Sequence, residues 1–389
     1  WLLRDHFGGR DGWTIVDCGV ARDEVKALWE QIFATQLDGL PVVRVIVTHM
    51  HPDHIGLAHW LTEKWNVPLQ MSATDFLTAH LFVEGRAISG GERMAEHFAR
   101  NGVTDPESLA GVRARTRYYP QLVPKVPAHF NRIMNGDALH IGGHEWRAIA
   151  GYGHAPEHIS LHCQALNILI SGDMVLPRIS TNVSVTDTDP ESNPLQLYLD
   201  SLSSYAHLPE DALVLPAHGR PFVGLHRRIA QQHAHHADHL ARVKQACAEQ
   251  ARSAHDIVPV LFRRKLDLHQ MTFALGEALA HEEDRAWLAQ GELQLLRGVQ
   301  NGRLLAGGGG HHGGPELGQA PAGERRHRGD RKAPLAVGLA LTWQRWLAAI
   351  QVLLLELAQH EAFSRTNVAL ERRFRVVALG RSLGGRRGR

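Results

Sequence analysis

Histidines and aspartates able to hold metal ions fall in a few short segments between positions 48 and 219. The densest is Thr48-His49-Met50-His51-Pro52-Asp53-His54, with four potential ligands between positions 49 and 54. Zinc accepts imidazole and carboxylate ligands. Alternation along the loop lets His49 and His51 point together while Asp53 and His54 turn toward a second position. One loop cannot close two tetrahedral sites. Further ligands follow at His154 in Gly153-His154-Ala155-Pro156-Glu157-His158, Asp173 in Leu169-Ile170-Ser171-Gly172-Asp173, and His218 in Leu213-Val214-Leu215-Pro216-Ala217-His218-Gly219.

Each ligand follows a short apolar run that reads as a buried strand: residues 44–47, 146–150, 169–172 and 213–216. Several strand ends thus converge on one edge of a sheet, where open α/β sheets bind their ligands. Between the first two ligand segments, residues 58–75 read as helix, strand and turn, the ordinary crossover of an α/β unit. Residues 82–130 form an insert with helical patches at 91–101 and 106–118, broken by Gly102, Pro120, Pro124 and Pro127.

The ordered set, with Gly12-Trp13-Thr14-Ile15-Val16-Asp17-Cys18-Gly19 before it, resembles the metallo-β-lactamase-fold hydrolases over residues 1–225. The resemblance implies a four-layer αββα sandwich and two metal positions. His49, His51 and His154 would hold one, Asp53, His54 and His218 the other, with Asp173 bridging. It also implies a metal-bridging hydroxide as nucleophile, with Asp53 and Asp173 catalytic, and two divalent ions, zinc by default with iron or manganese also suited to N/O ligands. The family usually has Thr or Ser where Cys18 stands. His51 stands where the di-iron, oxygen-reducing branch carries Glu, which favours hydrolysis. Asp173 argues against the β-lactamases proper, several of which use Cys as the corresponding second-site ligand. Helices inserted at 82–130 in this fold commonly form a lid, so Tyr118, Tyr119 and His129 are candidates to line a substrate channel or to pack the lid on the body. After Asp173, Arg178, Ser180 and Asn182 either contact substrate or satisfy loop backbone, and Arg178 could pair with a carboxylate or phosphate. His158 could serve the leaving group or tune a ligand.

From position 226 to 299 the chain reads as a helical, winged-helix-like domain: a long helix at 225–251, then helical patterns at 254–262, 268–280 and 286–296. Its order resembles the small winged helix after this catalytic fold in a subfamily that includes endoribonucleases, and Phe262-Arg263-Arg264-Lys265 offers a basic turn. His235 and His239 stand at i, i+4, but no third ligand is evident in the sequence, so they read as residues of a solvated, His-rich helix. Residues 300–389 read as a Gly/Arg-rich tail, either disordered and basic or out of frame. Trp1-Leu2-Leu3 reads as the tail of a first strand cut in half, as in a fragment.

Composition sets outer bounds. A formal charge of +2 gives no global basic field for nucleic acid, and three scattered cysteines give neither a disulfide framework nor a zinc finger. These features fit a cytoplasmic enzyme, with a homodimer possible and no membrane partner. The expected activity is hydrolysis of a small carboxylic ester or thioester. The alternatives are a metal-dependent endoribonuclease or phosphodiesterase, and a lactonase.

Overall fold

The computed structural model describes residues 1–84 and 90–288. The chain opens with a hairpin, β1 (Leu2–Phe7) and β2 (Arg10–Val16). Gly8 and Gly9 turn it at φ 60° and 75°, the mirror-image turn whose twist matches paired strands. The strand beginning at Leu2 pairs along its full length, from Leu2 opposite Ile15 to Phe7 opposite Arg10. Helix α1 (Asp23–Thr35) buries Val25, Trp29 and Ile32, a spacing that forms one helical face. Then come β3 (Val42–Ile46), α2 (Pro52–Ile55), α3 (Ala58–Trp65), β4 (Leu69–Met71) and α4 (Ala73–Val83), which Ser72 caps by accepting from the Asp75 N–H.

The insert contributes α5 (Gly91–Arg100), α6 (Pro106–Ala114) and α7 (Tyr118–Leu122), followed by β5 (Asn131–Arg132). The next elements are β6 (Ala138–Ile141), β7 (His144–Gly151), β8 (His158–Cys163), β9 (Ile168–Gly172), α8 (Pro194–Ser203) and β10 (Leu213–Pro216). Helices α9 (Leu225–Glu249), α10 (Ala254–Leu261) and α11 (Leu268–Leu288) follow.

Two five-stranded sheets result, ordered β1-β2-β3-β4-β5 and β10-β9-β8-β7-β6. Ile46, Val16, Trp146, Ile159, Leu161 and Ile170 fill the space between them. The outer face of the first sheet packs Ile15, Val45 and Val47 against Trp29, Leu61 and Phe76 of the flanking helices. The outer face of the second packs Ile149, Leu169 and Val214 against Leu195, Leu225, Val243, Ile257 and Leu275. These layers are the expected αββα sandwich.

Helices α9 to α11 pack on the rest of the chain. They share one apolar cluster with α8, the second sheet and Phe98 and Val112 of the insert. The insert's α5 and α6 lean on them: His255 N–H donates to the Asn101 carbonyl at 3.1 Å, and Arg115 Nη2 lies 2.8 Å from His269 Nδ1. Helix α7 reaches the first ligand loop, where the Tyr119 hydroxyl donates to the Met50 carbonyl. One sequence reading changes here. The patterns at 268–280 and the start of 286–296 merge into α11, and the remainder lies outside the described residues, as does 300–389. Among the described residues, nothing after β10 is a strand, so wing strands are not seen. Among them, too, no helix is long and apolar enough to cross a membrane.

The apolar run at 44–47 hides a charge that the pattern did not explain. Arg44 is buried and pairs with Asp5 Oδ2 at 2.8 Å. It also donates to Thr14 Oγ1 and to the His140 carbonyl, while Asp5 Oδ1 accepts from Gly142 N–H at 2.9 Å. The pair therefore joins three strands of the first sheet to the β6–β7 turn of the second. Removing one partner leaves the other buried and uncompensated, so Asp5→Ala is expected to cost about 3–5 kcal/mol. Asp5→Leu with Arg44→Met should recover most of that loss, as read by urea denaturation at fixed metal concentration.

Candidate metal centre

All four ligand segments leave strand ends, and the two sheets bring those ends together. The first follows β3, and Thr48 ties it across the gap by accepting from Ile159 N–H at 2.8 Å. His49 Nε2, His51 Nδ1 and His154 Nε2 form a triangle with edges of 2.9, 3.1 and 3.2 Å. Tetrahedral ligands about 2.0–2.1 Å from zinc stand about 3.4 Å apart, close to these edges. Asp53 Oδ2 lies 3.4 Å from His54 Nε2 and 3.1 Å from His218 Nε2, which marks a second group. Asp173 Oδ2 lies 3.4 Å from His154 Nε2, 3.5 Å from His54 Nε2 and 3.4 Å from His218 Nε2, so it stands between both groups.

The atoms behind the rings decide which nitrogen faces inward. His154 Nδ1 donates to the Asn182 carbonyl at 2.8 Å, which leaves Nε2 with its lone pair. His54 Nδ1 donates to Asp17 Oδ2 at 3.0 Å. His49 Nδ1 donates to Thr48 Oγ1 at 2.9 Å, and that hydroxyl passes its own proton to Asp17. Asp17 sits at φ 64° at the end of β2, a left-handed conformation that Asp tolerates better than most residues. Burial opposes its charge, but the adjacent His54 and the Thr48 N–H hold its carboxyl below the usual range.

The electrostatics suit a cation. Burial and the neighbouring His154 push His51 down to about 3, and burial with His54 keeps His49 well below its ordinary value, so both rings are neutral donors. Burial disfavours charge on Asp53 and Asp173 too, yet His54 and His218 hold both carboxyls well below the usual range. Reciprocally, burial works against a charged His218, but Asp173 and Asp53 outweigh it and raise the ring to about 11. His54 Nε2 and Asp173 Oδ1 are buried without a hydrogen-bond partner. At His54 burial is likewise outweighed by Asp53, Asp17 and Asp173, which raise the ring. The carboxylates thus draw positive charge onto His54 and His218, a charge that divalent ions would supply in place of the protons, and the orphaned inward atoms fit such ions.

The other expected site residues divide by position. Tyr118 is 38% exposed at the rim, its hydroxyl pushed up by burial and by Asp53, with Arg115 stacked 4.3 Å over its ring. Tyr119 is committed elsewhere, donating to the Met50 carbonyl at 2.6 Å and so bracing the ligand loop. His158 is fully buried; its Nε2 accepts from the Asp173 N–H at 3.1 Å, which places it beneath the ligands. Asn182 holds His154 through its carbonyl, and its side-chain oxygen accepts from Ser184. Arg178 and His129 are exposed, and Ser180 is half-buried.

Sequence reading missed Asp75. Its carboxylate accepts from Met50 N–H at 2.7 Å and from Glu157 N–H at 2.6 Å, linking the first ligand loop to the second. Burial raises it to about 6. Residues 58–75 read as helix, strand and turn, and nothing in that pattern shows that the Asp75 carboxylate turns inward.

Sheet order, strand-end ligands and donor set define a metal-dependent hydrolase of the αββα class. The chain belongs to the metallo-beta-lactamase superfamily, whose family model matches residues 1–218, and a metallo-beta-lactamase-like C-terminal domain model matches residues 240–301. A beta-lactamase domain protein from Burkholderia ambifaria is 54% identical, with a TM-score of 0.70 over 75% of this chain and 82% of that one. The metallo-beta-lactamase family protein TTHA1429 from Thermus thermophilus is 26% identical, with a TM-score of 0.61 over 75% of this chain and 89% of its own. The probable metallo-hydrolase YqjP of Bacillus subtilis (strain 168) is 23% identical over 65% of this chain and 78% of its own length.

Asp17 orients two histidines at once, so Asp17→Ala is expected to weaken metal binding about 10–100-fold, the usual scale for a residue behind the ligands. Competition with a chromophoric chelator measures it. Unchanged affinity would mean that Asp17 does not set the ring orientations.

Proposed function

We propose that the chain binds two divalent ions, zinc by ligand preference, and hydrolyses a small carboxylic ester or thioester. The observation that carries the dinuclear reading is Asp173 Oδ2, 3.4–3.5 Å from histidine nitrogens of both groups. His49, His51 and His154 would hold one ion, and Asp53, His54 and His218 the other, with Asp173 shared. Ions bound there supply Lewis acidity and lower the pKa of a water from about 15.7 toward about 7.

The chain's own residues supply position. Asp53, beside His218 and half-buried, would orient the attacking water. His158 sets Asp173 from below through the backbone N–H. Beside the site, Arg115 stacks over the Tyr118 ring, which supports an acyl substrate carrying an anionic group. No serine or cysteine nucleophile is required. Cys18 is buried, and burial with the adjacent Asp17 pushes its thiol well above the ordinary value.

A panel of thioester, ester, lactone and single-stranded RNA substrates, run with zinc-, iron- and manganese-loaded protein, tests the reading. Turnover of the thioester or ester is expected; cleavage of RNA alone would replace it with a nuclease. Asp173→Ala should lower turnover by orders of magnitude, because both groups lose their common oxygen. His158→Ala should cost far less, about 10–100-fold. Near-normal turnover in Asp173→Ala would remove the bridge.

A further inference from the structure

His235 and His239 of α9 do not face solvent as a His-rich helix suggests. His239 is 6% exposed, and the two rings stand 4.1 Å apart on the face that meets α11. From α11, Glu277 approaches the same point with its Oε1 3.9 Å from His239 Nδ1. One ligand atom from each of the three residues lies within 4.8 Å of the others. The third ligand missing from the sequence is thus supplied by a neighbouring helix.

The inward atoms are orphans. His235 Nε2, His239 Nδ1 and Glu277 Oε1 are buried with no hydrogen-bond partner. Glu277 is itself 6% exposed, and no Lys or Arg pairs with it among the described residues. A buried carboxylate without a cation is costly, and burial accordingly raises Glu277 to about 7, with the Asn182 side chain pulling the other way. Burial also keeps His235 and His239 below their ordinary values, with His239 at about 3, so both are neutral lone-pair donors. Behind them, His281 Nδ1 donates to the Glu277 carbonyl at 2.7 Å, and its Nε2 lies 3.1 Å from His236 Nδ1, which fixes the α11 side.

We propose that His235, His239 and Glu277 form a further divalent-cation site, separate from the catalytic centre and suited to zinc. Two histidines and one carboxylate are a zinc set that leaves a fourth position for water, and His235 stands at the half-buried edge. The ligand atoms need to close by about 1 Å to reach tetrahedral spacing. An ion there clamps α9 to α11. It also bears on the catalytic centre, since Glu277 faces the side chain of Asn182, whose carbonyl holds His154.

The test is zinc stoichiometry of the full chain after equilibrium dialysis, by elemental analysis. Glu277→Gln, an isosteric change, should hold about one ion fewer per chain than the wild type, and His239→Ala the same. The difference should persist in an Asp173→Ala background, so it is independent of how many ions the catalytic centre holds. Zinc should also raise the wild-type Tm by an increment that Glu277→Gln lacks. Equal metal content and equal zinc-induced Tm shifts in all variants would overturn the proposal and leave a buried histidine network. If His239→Ala does not fold, anomalous scattering at the zinc edge from wild-type crystals decides: a peak between the three side chains supports the site, and its absence removes it.

Discussion

The centre depends on a constraint that lies behind it: each imidazole must present one chosen nitrogen, and a buried ring does so only if an acceptor holds its other proton. Asp17 meets that need for His54 directly and for His49 through Thr48, and the Asn182 carbonyl meets it for His154. Asp17 comes from the first sheet and Asn182 from the loop after the second. The ligand geometry is therefore only as good as the alignment of the two sheets. The Arg44–Asp5 pair, the Thr48–Ile159 hydrogen bond and the Asp75 strut all act on that alignment. Gly172 shows how closely the parts approach. It adopts φ 50°, and a Cβ there would stand 2.3 Å from His158 Nε2, so the residue before Asp173 has no room for a side chain.

The ligand types and strand ends were legible in the sequence because both signals are local. A strand is a short apolar run, and a ligand is a His or Asp directly after it. His49, His51, Asp53, His54, His154, Asp173 and His218 are brought together as that pattern implies. What could not be read depends on partners distant in the chain. Arg44 lay in a run read as apolar, and its partners, Asp5 and the β6–β7 turn, come from elsewhere in the chain. Asp75 closed a stretch read as an ordinary crossover turn. His235 and His239 looked solvated, since Glu277 lies 38 positions beyond His239 on another helix. The substrate leaves the weakest trace, because Tyr118 and Arg115 reach the rim from an insert whose helices carry no fixed motif.

The C-terminal helices also bear on the catalytic edge. Val185 N–H donates to the Gly276 carbonyl at 3.1 Å, and Gly111 approaches the Leu268 side chain so closely that a Cβ would meet it at 2.5 Å. Helix α11 thus touches both the loop after Asp173 and the insert, and a change in its position reaches the catalytic edge from two directions.

The distance along the chain between ligands has a consequence for folding as well as for chemistry. His51 and His154 are 103 positions apart yet meet at 3.1 Å. Any ion held by both acts as a cross-link, closing a loop that is open in the unfolded chain. By analogy with a disulfide spanning about 100 residues, such a closure removes unfolded-state entropy worth about 4–5 kcal/mol. The atoms that make the reagent are in this sense also a staple. Metal scarcity would then cost folded-state stability as well as chemistry.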